Sequence, residues 1–133
     1  MCIRDSNWTQ AKEVIIEESD ASFYFKGTVS AFTFVSKNIV HQRKVVKEKG
    51  KPCWTITDTV VNKPGNISMN QLWHLPLKHL PVLWKSMDKN GQSVTRKTKD
   101  CVESGLYGKK ERCEMLIFQC RNEEIKTEFQ INE

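Results

Sequence analysis

Three polar side chains fall where a β-hairpin could bring them together: His41 and Arg43 on one stretch and Asp58 on the next. A carboxylate, an imidazole and a guanidinium within mutual reach could move a proton or hold an anionic group. From Trp54 onward, alternation puts Trp54, Ile56, Asp58 and Val60 on one face and Thr55, Thr57 and Thr59 on the other. The first face carries the large apolar groups and is expected to be the core. Asp58 then sits in a core-facing row, where an unpaired carboxylate is costly. A turn centred on residues 48–51 sets Val45 opposite Trp54, Arg43 opposite Ile56 and His41 opposite Asp58, and cross-strand neighbours lie roughly 5 Å apart. Asp58 is therefore expected to pair with His41 or Arg43, whereas a one-residue slip would present Gln42 and Lys44 instead. The trio is either a working polar site or a satisfied ion pair that pins the hairpin register. The second reading is favoured, because buried charge pairs often serve specificity rather than chemistry.

The remaining candidates are weaker. Met69, Gln71, Trp73 and Leu75 share one face of a strand, and Leu72 and His74 share the other. No second His, Cys or carboxylate stands at ligand spacing from His74, which is read as a hydrogen-bonded structural imidazole. His79, in the stretch bounded by Pro76 and Pro81, is expected to be exposed. Among the four tryptophans, Trp54 and Trp73 lie in alternating apolar rows and are assigned to the core. Trp84 and Trp8 are left as candidate platforms for stacking on a sugar ring. Cys53, Cys101, Cys113 and Cys120 show no metal spacing. Cys101 and Cys113 could meet across a hairpin, but free, partly buried thiols are the expectation. The redox compartment stays open. No P-loop, dinucleotide-binding glycine pattern, GxSxG or HExxH occurs, and the sequons at Asn7 and Asn66 are too common a pattern to carry weight.

These residues need strands to position them, and the chain reads as strands throughout. Segments rich in Val, Ile, Thr, Phe and Trp fall at 13–17, 21–26, 29–35, 40–47, 54–62, 67–75, 83–88, 93–97, 101–104, 114–120 and 126–131. Turn residues punctuate them, among them Gly27, Gly50-Lys51-Pro52 and Asp88-Lys89-Asn90-Gly91. No helical apolar period persists for long; the best stretch, 75–84, is broken by Pro76 and Pro81. An all-β antiparallel sandwich built from consecutive hairpins follows. A chain of 133 residues suits one domain, and 38% hydrophobic with 28% charged residues suits a soluble globular one. No apolar run is long enough to span a bilayer. The net charge of +5 is compatible with polyanionic partners. The basic runs at 44–51 and 96–99 read as solvated turns, and no basic and aromatic motif shares a face, so nucleic acid and membrane are excluded as partners. Residues 1–6 (Met-Cys-Ile-Arg-Asp-Ser) look like an adaptor-derived scar, which puts the native start near Asn7, in mid-protein.

Read in order, His41-Gln42-Arg43-Lys44-Val45, then Trp54-Thr55-Ile56-Thr57-Asp58-Thr59-Val60, then Leu72-Trp73-His74-Leu75-Pro76 resembles the heparinase II/III-like family of polysaccharide lyases. Ser104-Gly105-Leu106-Tyr107-Gly108-Lys109-Lys110 is similar to the Tyr-Gly turn before the family's final strand pair, and the strand containing Thr127 matches as well. The likeness spans residues 21–133 and implies that 7–133 is the C-terminal part of an incomplete β-sandwich from a larger enzyme.

The resemblance implies a parent with an N-terminal α/α toroid and upstream sandwich strands. Such a parent cleaves acidic, uronate-containing glycans such as heparan sulfate or alginate by β-elimination, in the periplasm or outside the cell. The family's catalytic Asn, His and Tyr residues, and the ligands of its structural zinc, belong to motifs absent from this sequence. No catalytic residue and no metal or cofactor is therefore assigned here, and the fragment alone is expected to be inactive. His41, Arg43 and Asp58 match the family pattern as framework positions, with the edge of a glycan cleft as their functional reading. A free-standing carbohydrate-binding or Ig-like module without enzymatic activity is the alternative.

Overall fold

The computed structural model describes residues 10–30, 32, 35–76, 81–104 and 107–132. Among these described residues nine strands follow one another: β1 (Gln10–Glu18), β2 (Ser22–Ser30), β3 (Val40–Glu48), β4 (Cys53–Val61), β5 (Met69–Pro76), β6 (Val82–Asp88), β7 (Thr95–Glu103), β8 (Glu111–Cys120) and β9 (Glu124–Ile131). They form two antiparallel sheets, one ordered β1-β2-β3-β4-β9-β6 and the other β5-β8-β7. The fold is an all-β sandwich, as expected, with six strands facing three. No helix among the described residues is long and apolar enough to cross a membrane.

Alternation builds the core. In β4 the inward row of Ile56, Asp58 and Val60 is buried while the threonines between them are half-buried. Inward side chains of β5, β8 and β9 meet that row, so that Ile39, Val60, Met69, Leu116, Phe118 and Ile125 form one cluster. Trp73, Trp84 and Phe129 pack beside it with ring centroids 5.1–5.3 Å apart, and Trp54 stacks on Phe129 at 5.0 Å.

Two pairs of expected strands are each one strand. Residues 21–26 and the first part of 29–35 run continuously through Gly27 as β2; residues 31, 33 and 34 lie outside the described residues. Gly27 makes no turn. It sits opposite Arg43 of β3 and beside a break in the β1 register between Lys12 and Ile15, where Glu13 takes a φ of 53°. Glycine inside a strand often marks such a bulge. Residues 93–97 and 101–104 likewise join in β7, so the basic run at 96–99 is strand and not turn. The Asp88–Gly91 turn does form: Asp88 Oδ1 accepts the backbone N–H groups of Asn90 and Gln92 at 2.8 and 3.1 Å, with Gly91 at a φ of 79°. It closes only the single bridge Met87–Ser93, after which the chain crosses to the other sheet.

Cys101 and Cys113 are joined in a disulfide, contrary to the expectation of free thiols. They face each other across β7 and β8 with Cα atoms 5.0 Å apart, within bridging range. Cys53 and Cys120 are free.

Candidate functional site

His41, Arg43 and Asp58 meet. The hairpin of β3 and β4 puts Arg43 opposite Asp58, Val45 opposite Ile56 and His41 opposite Val60. This register lies two residues from the expected one, because the turn sits closer to β4. A two-residue shift keeps every side chain on its face, so both partners still reach the carboxylate.

Asp58 Oδ1 accepts from Arg43 Nε at 2.7 Å and His41 Nε2 at 3.0 Å. Oδ2 accepts from Arg43 Nη2 at 2.9 Å and from Gln71 Nε2 at 2.8 Å. Gln71 comes from the other sheet, and its Oε1 accepts from Trp73 Nε1 at 2.9 Å and from the Thr127 hydroxyl. Thr127 and Ser86 hydroxyls lie 3.0 Å apart. One hydrogen-bonded chain therefore runs from β3 and β4 through β5 to β9 and β6, tying the two sheets together through the core.

Sequence reasoning placed Gln71 on the core face but assigned it no partner, and it passed over Thr127 and Ser86. The available signal was a single polar side chain in an otherwise apolar alternating row, as at Asp58.

Asp58 is 3% exposed. Burial pushes its pKa up, but hydrogen bonds from His41, Arg43 and Gln71, together with the Arg43 charge, outweigh that and hold it well below the usual carboxylate range. The hydrogen bond to Asp58 raises the Arg43 pKa against the opposing effect of burial. A carboxylate so acidic, with both oxygens occupied by two donors each, has little capacity to take a proton from a substrate. The trio is a clamp in the fold.

A cavity of about 480 Å³ opens beside the clamp. Its lining includes His41, Arg43 and Asp58, residues 68–72 at the start of β5, and Phe32 and Val35 from the β2–β3 connection. His74 lies on the outer face of β5, exposed and without a hydrogen-bond partner among the described residues, rather than bonded as expected. Trp84 is half-buried and packs against Trp73, Phe118 and Phe129 beside the core cluster. Trp8 and His79 lie outside the described residues. Among the described residues no three His, Cys, Asp or Glu side chains are grouped to hold a metal.

A solved structure described as a heparinase III gene product superposes on this sandwich with a TM-score of 0.70 over 92% of the chain, at 15% sequence identity. The fold is that of part of heparinase III. The match spans only 21% of the heparinase III chain. No family model and no curated protein matches the sequence. The heparinase III likeness accounts for the strand layout and leaves the chemistry to be argued from the residues.

Proposed function

We propose that this chain is a scaffolding part of the β-sandwich of a polysaccharide lyase that cleaves acidic, uronate-containing glycans by β-elimination, and that it holds none of the reacting groups itself. The observation that carries this reading is the fold match to heparinase III over nearly the whole of this chain and about a fifth of the other. Elimination needs a base for the proton α to the uronate carboxylate, a group that neutralises that carboxylate, and an acid for the leaving oxygen. Among the described residues the one strongly perturbed carboxylate, Asp58, is consumed by its own hydrogen bonds, which supports a structural role. The reacting side chains and any structural zinc would then belong to a toroid and upstream strands of the longer polypeptide. The Cys101–Cys113 disulfide supports a periplasmic or extracellular setting, since such bonds persist under oxidising conditions.

The test is to read the genomic frame upstream of Asn7 and to assay the longer polypeptide beside this chain on heparan sulfate and alginate. Ultraviolet absorbance of the unsaturated uronate ends reports cleavage. The longer protein is expected to cleave one of them and the chain alone neither. A stop codon directly upstream, with the chain a stable monomer that binds acidic glycan unaided, would instead establish a free-standing binding module.

A further inference from the structure

The cavity beside the clamp holds a charge that its own residues do not cancel. Among the described residues that line it, Asp58 is the only carboxylate, whereas Arg43 and Lys63 are both permanent cations. Arg43 is matched by Asp58. Lys63 Nζ donates to the carbonyl oxygens of Pro64 at 3.2 Å, of Arg121 at 2.8 Å and of Ile67, all of them neutral acceptors. One positive charge is left over.

Hydrogen-bonding capacity is left over at the same place. Asp58 occupies the fork formed by Arg43 Nε and Nη2. A guanidinium is planar and keeps a second fork on another edge, made by Nη1–H and the other Nη2–H. Arg43 Nη1 has no hydrogen-bond partner among the described residues, and the side chain is about half exposed. The rest of the lining is largely apolar: Ile39, Val60 and Met69 are buried, and the exposed Val35, Ile67 and Leu72 join them. A volume of about 480 Å³ lies within the range of pockets that enclose small organic molecules, roughly 300–1,000 Å³.

These features select among ligands. A planar carboxylate matches a guanidinium fork with two parallel N–H bonds, and its single charge equals the surplus. A phosphate monoester would bring nearly two negative charges against one. A sugar acid would press hydroxyl groups against Val60 and Met69, where they find no partner.

We propose that this cavity binds a small monocarboxylate with an apolar body, its carboxylate on the outer fork of Arg43 and its body against Ile39, Val60 and Met69. The site leaves the Asp58 clamp intact, and it does not depend on membership of a glycan-cleaving parent.

Isothermal titration calorimetry of the full chain with phenylbutyrate, phenylbutanol and glucuronate tests this. Phenylbutyrate should bind about tenfold more tightly than either of the others, the contribution of one charge-assisted fork. Arg43→Lys keeps the charge but loses the outer fork. It should remove that advantage and leave the phenylbutanol affinity unchanged, whereas a loosened cavity would weaken both. Val35→Asp, outside the strands and the clamp, adds a carboxylate to the lining. It should weaken phenylbutyrate about tenfold with the circular dichroism of a folded sandwich, and it decides the matter should Arg43→Lys fail to fold. Equal affinity for the acid and the alcohol overturns the proposal. So does glucuronate binding as tightly as phenylbutyrate, full phenylbutyrate affinity in a folded Arg43→Lys, or no binding of phenylbutyrate at all. Lyase activity of the longer polypeptide is a separate measurement, so either reading can fail alone.

Discussion

Arg43 and Asp58 face each other across β3 and β4, with Arg43 Nε and Nη2 at 2.7 and 2.9 Å from the two carboxylate oxygens. The pairing is two-pronged, and its ends differ in environment: the Asp58 side chain is 4% exposed and that of Arg43 is 47% exposed. The carboxylate depends on its partners for solvation, whereas the guanidinium still reaches water.

Asp58→Asn should therefore destabilise the sandwich more than Arg43→Lys. Removing one member of a buried pair commonly costs 3–5 kcal/mol. With Arg43 able to turn to solvent, about 3 kcal/mol is expected for Asp58→Asn, read as a drop of roughly 10 °C in Tm. Arg43→Lys keeps the charge but loses the fork, so a fall of about 1 kcal/mol is expected. Urea melts of the three proteins decide it; no loss in Arg43→Lys would mean that charge alone carries the clamp, and equal losses in both variants would overturn the predicted order.

Acid should unfold the protein through the same group. The folded-state pKa of Asp58 lies below its unfolded value of 3.8. The unfolded chain thus takes up the proton first as pH falls. The stabilisation from Asp58 is complete above about pH 4 and is lost progressively as pH drops toward the folded pKa. Melting between pH 2 and 6 should show wild-type stability sloping downward below pH 4. The slope should be shallower in Asp58→Asn, and parallel curves would show that other carboxylates govern acid unfolding.

The clamp was legible in the sequence and the bridge between the sheets was not. A carboxylate in the row of Trp54, Ile56 and Val60 demands a partner whatever the exact register, and the two-residue error in pairing left His41 and Arg43 on the correct face. Gln71 is different, because its contacts with Asp58 and Thr127 depend on how β5 stacks over β4 and β9, and no local period encodes that offset; Ser86 meets Thr127 because β6 pairs with β9, a neighbour distant in sequence. The packing of Trp84 was hidden for the same reason: its neighbours Trp73 and Phe118 come from the opposite sheet. Gly27 misled because a glycine at a bulge and a glycine in a turn look alike until the partner strand is known.

Gln71→Leu tests the bridge. It leaves the Trp73 N–H and one Thr127 hydroxyl interaction without their acceptor and removes a donor from Asp58. Each buried group left unpaired costs about 1–3 kcal/mol, so a total near 3 kcal/mol is expected. Thr127→Val alone should also destabilise, and adding it to Gln71→Leu should cost less than the two single losses summed, because the hydrogen bond they share is lost only once. Strict additivity in this double-mutant cycle would show that the two side chains do not act as a unit.

The disulfide holds an edge strand that burial does little to protect. β7 is an edge strand whose residues 95–100 are all exposed, and among the described residues it pairs only with β8. Neither burial nor a second neighbouring strand fixes its register, so the bond between Cys101 and the buried Cys113 supplies what packing does not. Closing a loop with a sequence separation of 12 is expected to contribute about 3 kcal/mol. Reductant should therefore lower the Tm by roughly 10 °C, and hydrogen exchange should quicken in residues 95–103 before it does in β4 or β9. Cys101→Ala/Cys113→Ala should melt like the reduced wild type and gain nothing from oxidant. An unchanged exchange pattern in β7 on reduction would mean that backbone pairing with β8 holds the strand unaided.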